Sequence, residues 1–94
     1  MTAEPLAHER HVLAESLFAE IVIWRVPEPV KGSAHRFKYR LALVADGECV
    51  PRYDNEAGKG DHRHVGGART VYSFTNYRKL LAYFWADVEA WRHR

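Results

Sequence analysis

Between Phe37 and Leu43 apolar and charged residues alternate: Phe37, Tyr39, Leu41 and Leu43 are apolar, and Lys38 and Arg40 lie between them. Successive side chains of a strand point to opposite faces. This spacing therefore commits residues 36–45 to a β-strand with one face on a core and the other in water. Asp46-Gly47 follows as a hairpin signal, the glycine being free to take a positive φ. The returning strand must then place Arg52, Tyr53 and Asp54. A two-residue loop would set Arg52 and Asp54 on the face of Leu41 and Leu43, burying charge. A three-residue loop, residues 45–47, sets them beside Lys38 and Arg40 and puts Tyr53 beside Tyr39 and Leu41. The three-residue loop is the expectation, because a slip of one residue exchanges the two faces.

The rest of the chain extends this sheet. Residues 17–26 are rich in Ile, Val, Phe and Trp and read as a long strand. Apolar residues on both of its faces place it centrally or against a partner. A shorter strand is expected over residues 8–13, turning near Glu15-Ser16, while residues 1–7 carry little pattern and are expected to be frayed. Pro27, Pro29, Gly32 and Ser33 make a loop. After the Gly58-Lys59-Gly60 break, residues 61–65 return as a short strand, with His62 and His64 on one face and Arg63 and Val65 on the other. If Val65 points to the core, both histidines join the charged face. Gly66-Gly67 turns the chain into a last strand over residues 69–74. From about Thr75 the period becomes helical: Tyr77, Leu80, Leu81, Phe84, Val88 and Trp91 form one stripe, capped by Thr75 or Asn76. The expected architecture is α+β, an antiparallel sheet of four to six strands with a C-terminal helix packed on one face. It is read as a single domain over 1–94, with 8–74 mainly strands and 75–92 helical.

Composition bounds the function classes. A chain of 94 residues has room for one modest core. The single cysteine, Cys49, can close no internal disulfide, which fits a reducing compartment. The apolar stretch Ile21–Trp24 is too short for a membrane span or a signal peptide, so the chain reads as cytoplasmic. A net charge of +2 permits a nucleic-acid partner without demanding one. The six histidines matter more, since they exchange protons near neutral pH.

The charged face carries Lys38, Arg40, Arg52, Asp54, His62 and His64, with Lys59 at its rim between Gly58 and Gly60. Cleaving RNA at its own 2′-hydroxyl requires a base for that hydroxyl, an acid for the leaving oxygen and cations for the phosphorane charge. His62 and His64 suit the acid and base, Asp54 an orienting carboxylate, and Lys38, Arg40, Arg52 and Lys59 the phosphate clamps. The amides beside Lys59 could add to them. Each part has a plainer account. Asp54 with Arg40 or Lys38 makes an ordinary cross-strand pair, Gly58 and Gly60 shape a turn, and two strand histidines are simply solvated. The His-x-His spacing also suits a metal, with Asp54 or Asp61 as third ligand. The reading taken is metal-independent chemistry with no cofactor. The alternative is a non-catalytic module that docks nucleic acid or a partner on the same face. Four further histidines, His8, His11, His35 and His93, have no partner visible in the sequence.

The runs Phe37-Lys38-Tyr39-Arg40-Leu41, Arg52-Tyr53-Asp54-Asn55 and Lys59-Gly60-Asp61-His62-Arg63-His64 resemble the TumE-type toxin family of bacterial toxin–antitoxin modules. The upstream Glu20-Ile21-Val22-Ile23-Trp24-Arg25-Val26-Pro27 and the helix with Phe84, Asp87 and Val88 fit as well. The Arg-Tyr-Asp-Asn to His-x-His block is the specific part; the strand and helix parts are generic. The resemblance implies a small cytoplasmic toxin that acts on RNA and is neutralised by a helix-turn-helix antitoxin. Pro51 beside Cys49 is awkward within a strand and marks an edge or a bulge. The doubly apolar strand over 17–26 leaves room for a homodimer.

Overall fold

A computed structural model describing residues 2–93 shows six antiparallel strands followed by one helix. The strands are β1 (Glu4–Ala14), β2 (Leu17–Arg25), β3 (Phe37–Ala45), β4 (Glu48–Asp54), β5 (His62–Val65) and β6 (Ala68–Val71). They lie in the sheet in chain order, each paired with its sequence neighbour. Helix α1 (Tyr77–Arg92) packs on one face, so the protein is an α+β sheet covered on one side.

The alternation decides which face is covered. Ile21 of β2 stands opposite Leu41 of β3, which stands opposite Tyr53 of β4. With Ala19, Ile23, Tyr39 and Leu43 they form a buried layer under Leu80, Phe84 and Val88 of α1. These three helical residues are four apart and so share one stripe. Burying each of the larger aliphatic or aromatic side chains contributes about 1.5–3 kcal/mol. Asn76 starts the helix: its side-chain oxygen accepts from the Lys79 amide at 2.9 Å.

Where β5 meets the helix the contact is ionic. Arg63 holds Asp87 through two hydrogen bonds of 2.9 and 2.8 Å, and the Tyr53 hydroxyl donates to the same carboxylate at 2.7 Å. Val65 shares that side of the strand but is 37% exposed. The polar link stands where β5 has no large apolar residue to offer.

The β3–β4 hairpin corrects the expected loop. Asp46 and Gly47 both have positive φ, 51° and 82°, and Ala45 pairs with Glu48. The turn therefore has two residues, as the twist of a tight hairpin favours. The extra residue sits further along. Val44 pairs with Cys49 and Ala42 with Arg52, so Val50 and Pro51 together oppose Leu43. This bulge restores the charge-outward parity, with Arg52 opposite Ala42 and Asp54 opposite Arg40. Pro51 fits here because β5 pairs with β4 only over Arg52–Asp54.

Both ends of the sheet differ from expectation. Residues 4–7, expected to be frayed, belong to β1: Glu4 pairs with Arg25, because the backbone of β2 offers a partner along its whole length. The last strand stops at Val71, not Phe74, because its partner β5 begins at His62. From there the Tyr72 amide donates to the Asp61 carbonyl at 3.0 Å and the chain leaves the sheet for α1.

Candidate functional site

The helix leaves the other sheet face open, and two neighbouring rows of side chains cross it. One row runs Arg40, Asp54, His62; the next runs Ala42, Arg52, His64, Arg69. Arg52 and Asp54 on β4 and His62 and His64 on β5 thus come together because both strands alternate and pair in register.

The groups interlock. Arg52 Nε lies 3.2 Å from Asp54 Oδ2, and Arg52 Nη2 lies 3.2 Å from His64 Nε2. A guanidinium only donates, so His64 accepts through Nε2. Asp54 Oδ1 is 3.7 Å from the same nitrogen. His62 is fixed from both sides: Nδ1 donates to the Gly60 carbonyl at 3.1 Å, and Nε2 faces Arg69 Nη2 at 3.4 Å. The two rings are 6.4 Å apart, centre to centre. Together with Lys59 and Glu56 these groups line a cleft of about 180 Å³. Burial, reinforced by Arg52 and Arg69, holds the His64 imidazole below its ordinary value against the opposing pull of Asp54. Lys59, 3.1 Å from Glu56, holds that carboxyl below the usual carboxylate range.

Lys38 and Arg40 lie outside this cleft. They line a second one of about 330 Å³, for which Arg52, Asp54 and Glu56 form the common wall. Arg40 is also shared with Glu20, at 3.7 Å, and donates to Cys49 Sγ at 3.5 Å. The expected cluster is therefore one continuous face with two depressions. His62, His64, Asp54, Arg52 and Lys59 meet in one, and Lys38 and Arg40 flank the other.

Arg69 and Glu56 were not foreseen. Arg69 was legible in principle, since a two-residue Gly66-Gly67 turn pairs Val65 with Ala68 and so sets Arg69 opposite His64. Glu56 sits in a loop, where no periodicity reports direction.

Beneath the rim, a polar network ties two loops together. The Asp61 carboxylate accepts from Ser33 Oγ at 2.6 Å, His35 Nε2 at 2.7 Å and Tyr39 Oη at 2.6 Å. Asn55, 1% exposed, accepts from the Tyr39 amide at 2.9 Å and donates to the Phe37 carbonyl at 2.6 Å. Burial and the Asp61 carboxylate push the Tyr39 phenol far up. Asp61 is thereby turned away from His62 and His64, and no group of three or more metal-ligating side chains occurs among the described residues. His35 finds its partner in Asp61, while His11 and His93 pair with Glu9 and Glu89.

Gly58 and Gly60 differ in what they do. Both have positive φ, 84° and 75°, but a Cβ on Gly60 would stand 3.0 Å from the Gly32 carbonyl oxygen, whereas one on Gly58 would meet open space. The Gly58 amide donates to the Lys31 carbonyl at 2.6 Å, and the Lys59 amide to Glu56 at 3.0 Å. The Gly58 amide, expected to help bind phosphate, is therefore spent on the neighbouring loop.

Among the described residues no helix is long and apolar enough to cross a membrane. Comparison with curated proteins and with solved structures finds no match. The model of the family described as Toxin TumE matches residues 2–92, nearly the whole chain. That family points to the toxin of a toxin–antitoxin module, and so to an antitoxin partner. The chain belongs to the TumE toxin family.

Proposed function

We propose that the protein is a metal-independent endoribonuclease toxin working in the cytoplasm, and that its open sheet face is the active site. The observation that carries this reading is one cleft holding two imidazoles, two carboxylates, two guanidiniums and an ammonium group. One histidine takes the proton of a 2′-hydroxyl, whose oxygen bonds to phosphorus. The P–O5′ bond breaks, and the second histidine, entering as imidazolium, gives its proton to the departing oxygen. The products are a 2′,3′-cyclic phosphate and a 5′-hydroxyl. Arg52, Lys59 and Arg69 neutralise the phosphorane oxygens, with Lys38 and Arg40 holding the neighbouring phosphate of the strand.

The electrostatics favour an anionic ligand. In the free site Arg52 faces His64 Nε2 and Arg69 faces His62 Nε2, which disfavours a divalent ion at either nitrogen. A bound phosphodiester supplies the missing negative charge, draws Arg52 off His64, and lets Asp54 support the protonated ring. Each correctly placed acid or base contributes about 10²–10⁴ in rate. The cognate antitoxin is proposed to be of the helix-turn-helix type and to mask this cationic face with acidic residues.

Incubating the purified protein with total RNA in EDTA tests the reading. Cleavage to ends bearing 2′,3′-cyclic phosphate supports it; bound but intact RNA, or cleavage abolished by EDTA, overturns it.

A further inference from the structure

A third depression lies beyond His62, at the end of the sheet, between the loop carrying Ala34 and His35 and the segment from Val71 to Phe74. Its volume is about 360 Å³, and it shares two residues with the inner cleft, Lys59 and His62. The two differ in chemistry. The inner cleft is lined by charged side chains and histidines alone. The outer one adds Val71, 81% exposed, and Phe74, whose ring is stacked on His35 at 3.8 Å. A charged group suits the first and a flat, partly apolar group the second.

We infer that the outer depression receives the base of the nucleotide whose 2′-hydroxyl attacks, which makes His62 the general base and His64 the general acid. This rests on the ribonuclease reading and extends it. In a ribonucleotide the 2′-hydroxyl lies between the base, on C1′, and the phosphate, on O3′. With base and phosphate in adjoining depressions, the side chain on their common wall meets that hydroxyl. His62 is on that wall, and its Nδ1 bond to the Gly60 carbonyl keeps the lone pair on Nε2, which accepts from Arg69 Nη2 at 3.4 Å in the free site and takes the proton once the phosphate draws Arg69 away. O2′ then bonds to phosphorus as the P–O5′ pair of electrons leaves with O5′. In-line displacement puts O5′ on the far side of phosphorus, away from His62. His64 stands on that far side, beside the Asp54 carboxylate that steadies its protonated form.

The assignment is tested with an RNA whose scissile O5′ is replaced by sulfur, a leaving group that needs no proton. His64→Ala is expected to regain at least about 100-fold in rate on this substrate relative to the oxygen substrate, and His62→Ala to regain less than about threefold. The reverse pattern, equal rescue of both, or rescue of neither overturns the assignment. Ala34→Trp and Val71→Trp, both at exposed positions, fill the outer depression. Each is expected to lower kcat/KM about tenfold on the intact oligonucleotide and less than about twofold when the upstream base is absent. Equal effects on the two substrates, or no effect, overturn the base site. Wild-type protein that cleaves no RNA at all sinks the ribonuclease reading itself, so the two failures are distinguishable.

Discussion

Arg52 Nη2 lies 3.2 Å from His64 Nε2, so the lone pair of this imidazole faces a permanent cation in the free protein. Burial, together with that contact, leaves the ring less protonated than a solvated histidine at the same pH. A ring that folds neutral binds fewer protons than it does in the unfolded chain. Its contribution to stability is complete above the ordinary imidazole value of 6.5 and is lost as pH falls through and below it. Titration by NMR should give a His64 midpoint below 6.5, raised by Arg52→Gln and raised again by inorganic phosphate. A midpoint at or above 6.5 in the free wild-type protein would contradict this account.

Asp61 fixes the rim of the cleft. Three donors from Ser33, His35 and Tyr39 converge on a carboxylate that is 10% exposed, and its own chain continues into His62. Asparagine keeps the shape, removes the charge and turns an amide toward one of those donors. Asp61→Asn is expected to cost about 2–4 kcal/mol in urea denaturation. RNA cleavage should fall with it, because the Gly60 carbonyl that orients His62 is held by the same loops. Unchanged stability would mean that the network does not tie the loops together.

Gly58 and Gly60 separate backbone conformation from crowding. Alanine at either position meets the left-handed penalty of about 1–2 kcal/mol. Only Gly60→Ala also drives a Cβ against the Gly32 carbonyl oxygen. It should be the more destabilising by at least about 1 kcal/mol, and it alone should perturb the His62 resonances. Equal losses would show that the loops separate freely.

Much of this could be read along the chain because its key strands are period-two. The alternation from Phe37 to Leu43, the two histidines one residue apart and the helical stripe from Tyr77 define a charged face opposite a covered one. The hairpin shows how far that logic goes. Burial of Tyr53 and exposure of Asp54 demand one extra residue between β3 and β4, but nothing in the pattern says whether the turn or the strand takes it. The twist of a two-residue turn assigns it to Val50-Pro51, where Pro51 was the visible trace. The Asp61 network left no such trace. Its members at 33, 35, 39, 55 and 61 come from two irregular loops and one strand, and only the fold closes the distance between them. Glu56 was hidden for the same reason.

The central claim is that His62 and His64 perform proton transfer on RNA. The most direct measurement compares wild-type protein with the His62→Ala/His64→Ala double variant on RNA in EDTA, after circular dichroism has established that both are folded. The account predicts cleavage by the wild type, leaving 2′,3′-cyclic phosphate ends, and a rate at least about 10⁴-fold lower for the double variant. A folded double variant that cleaves at the wild-type rate would contradict it.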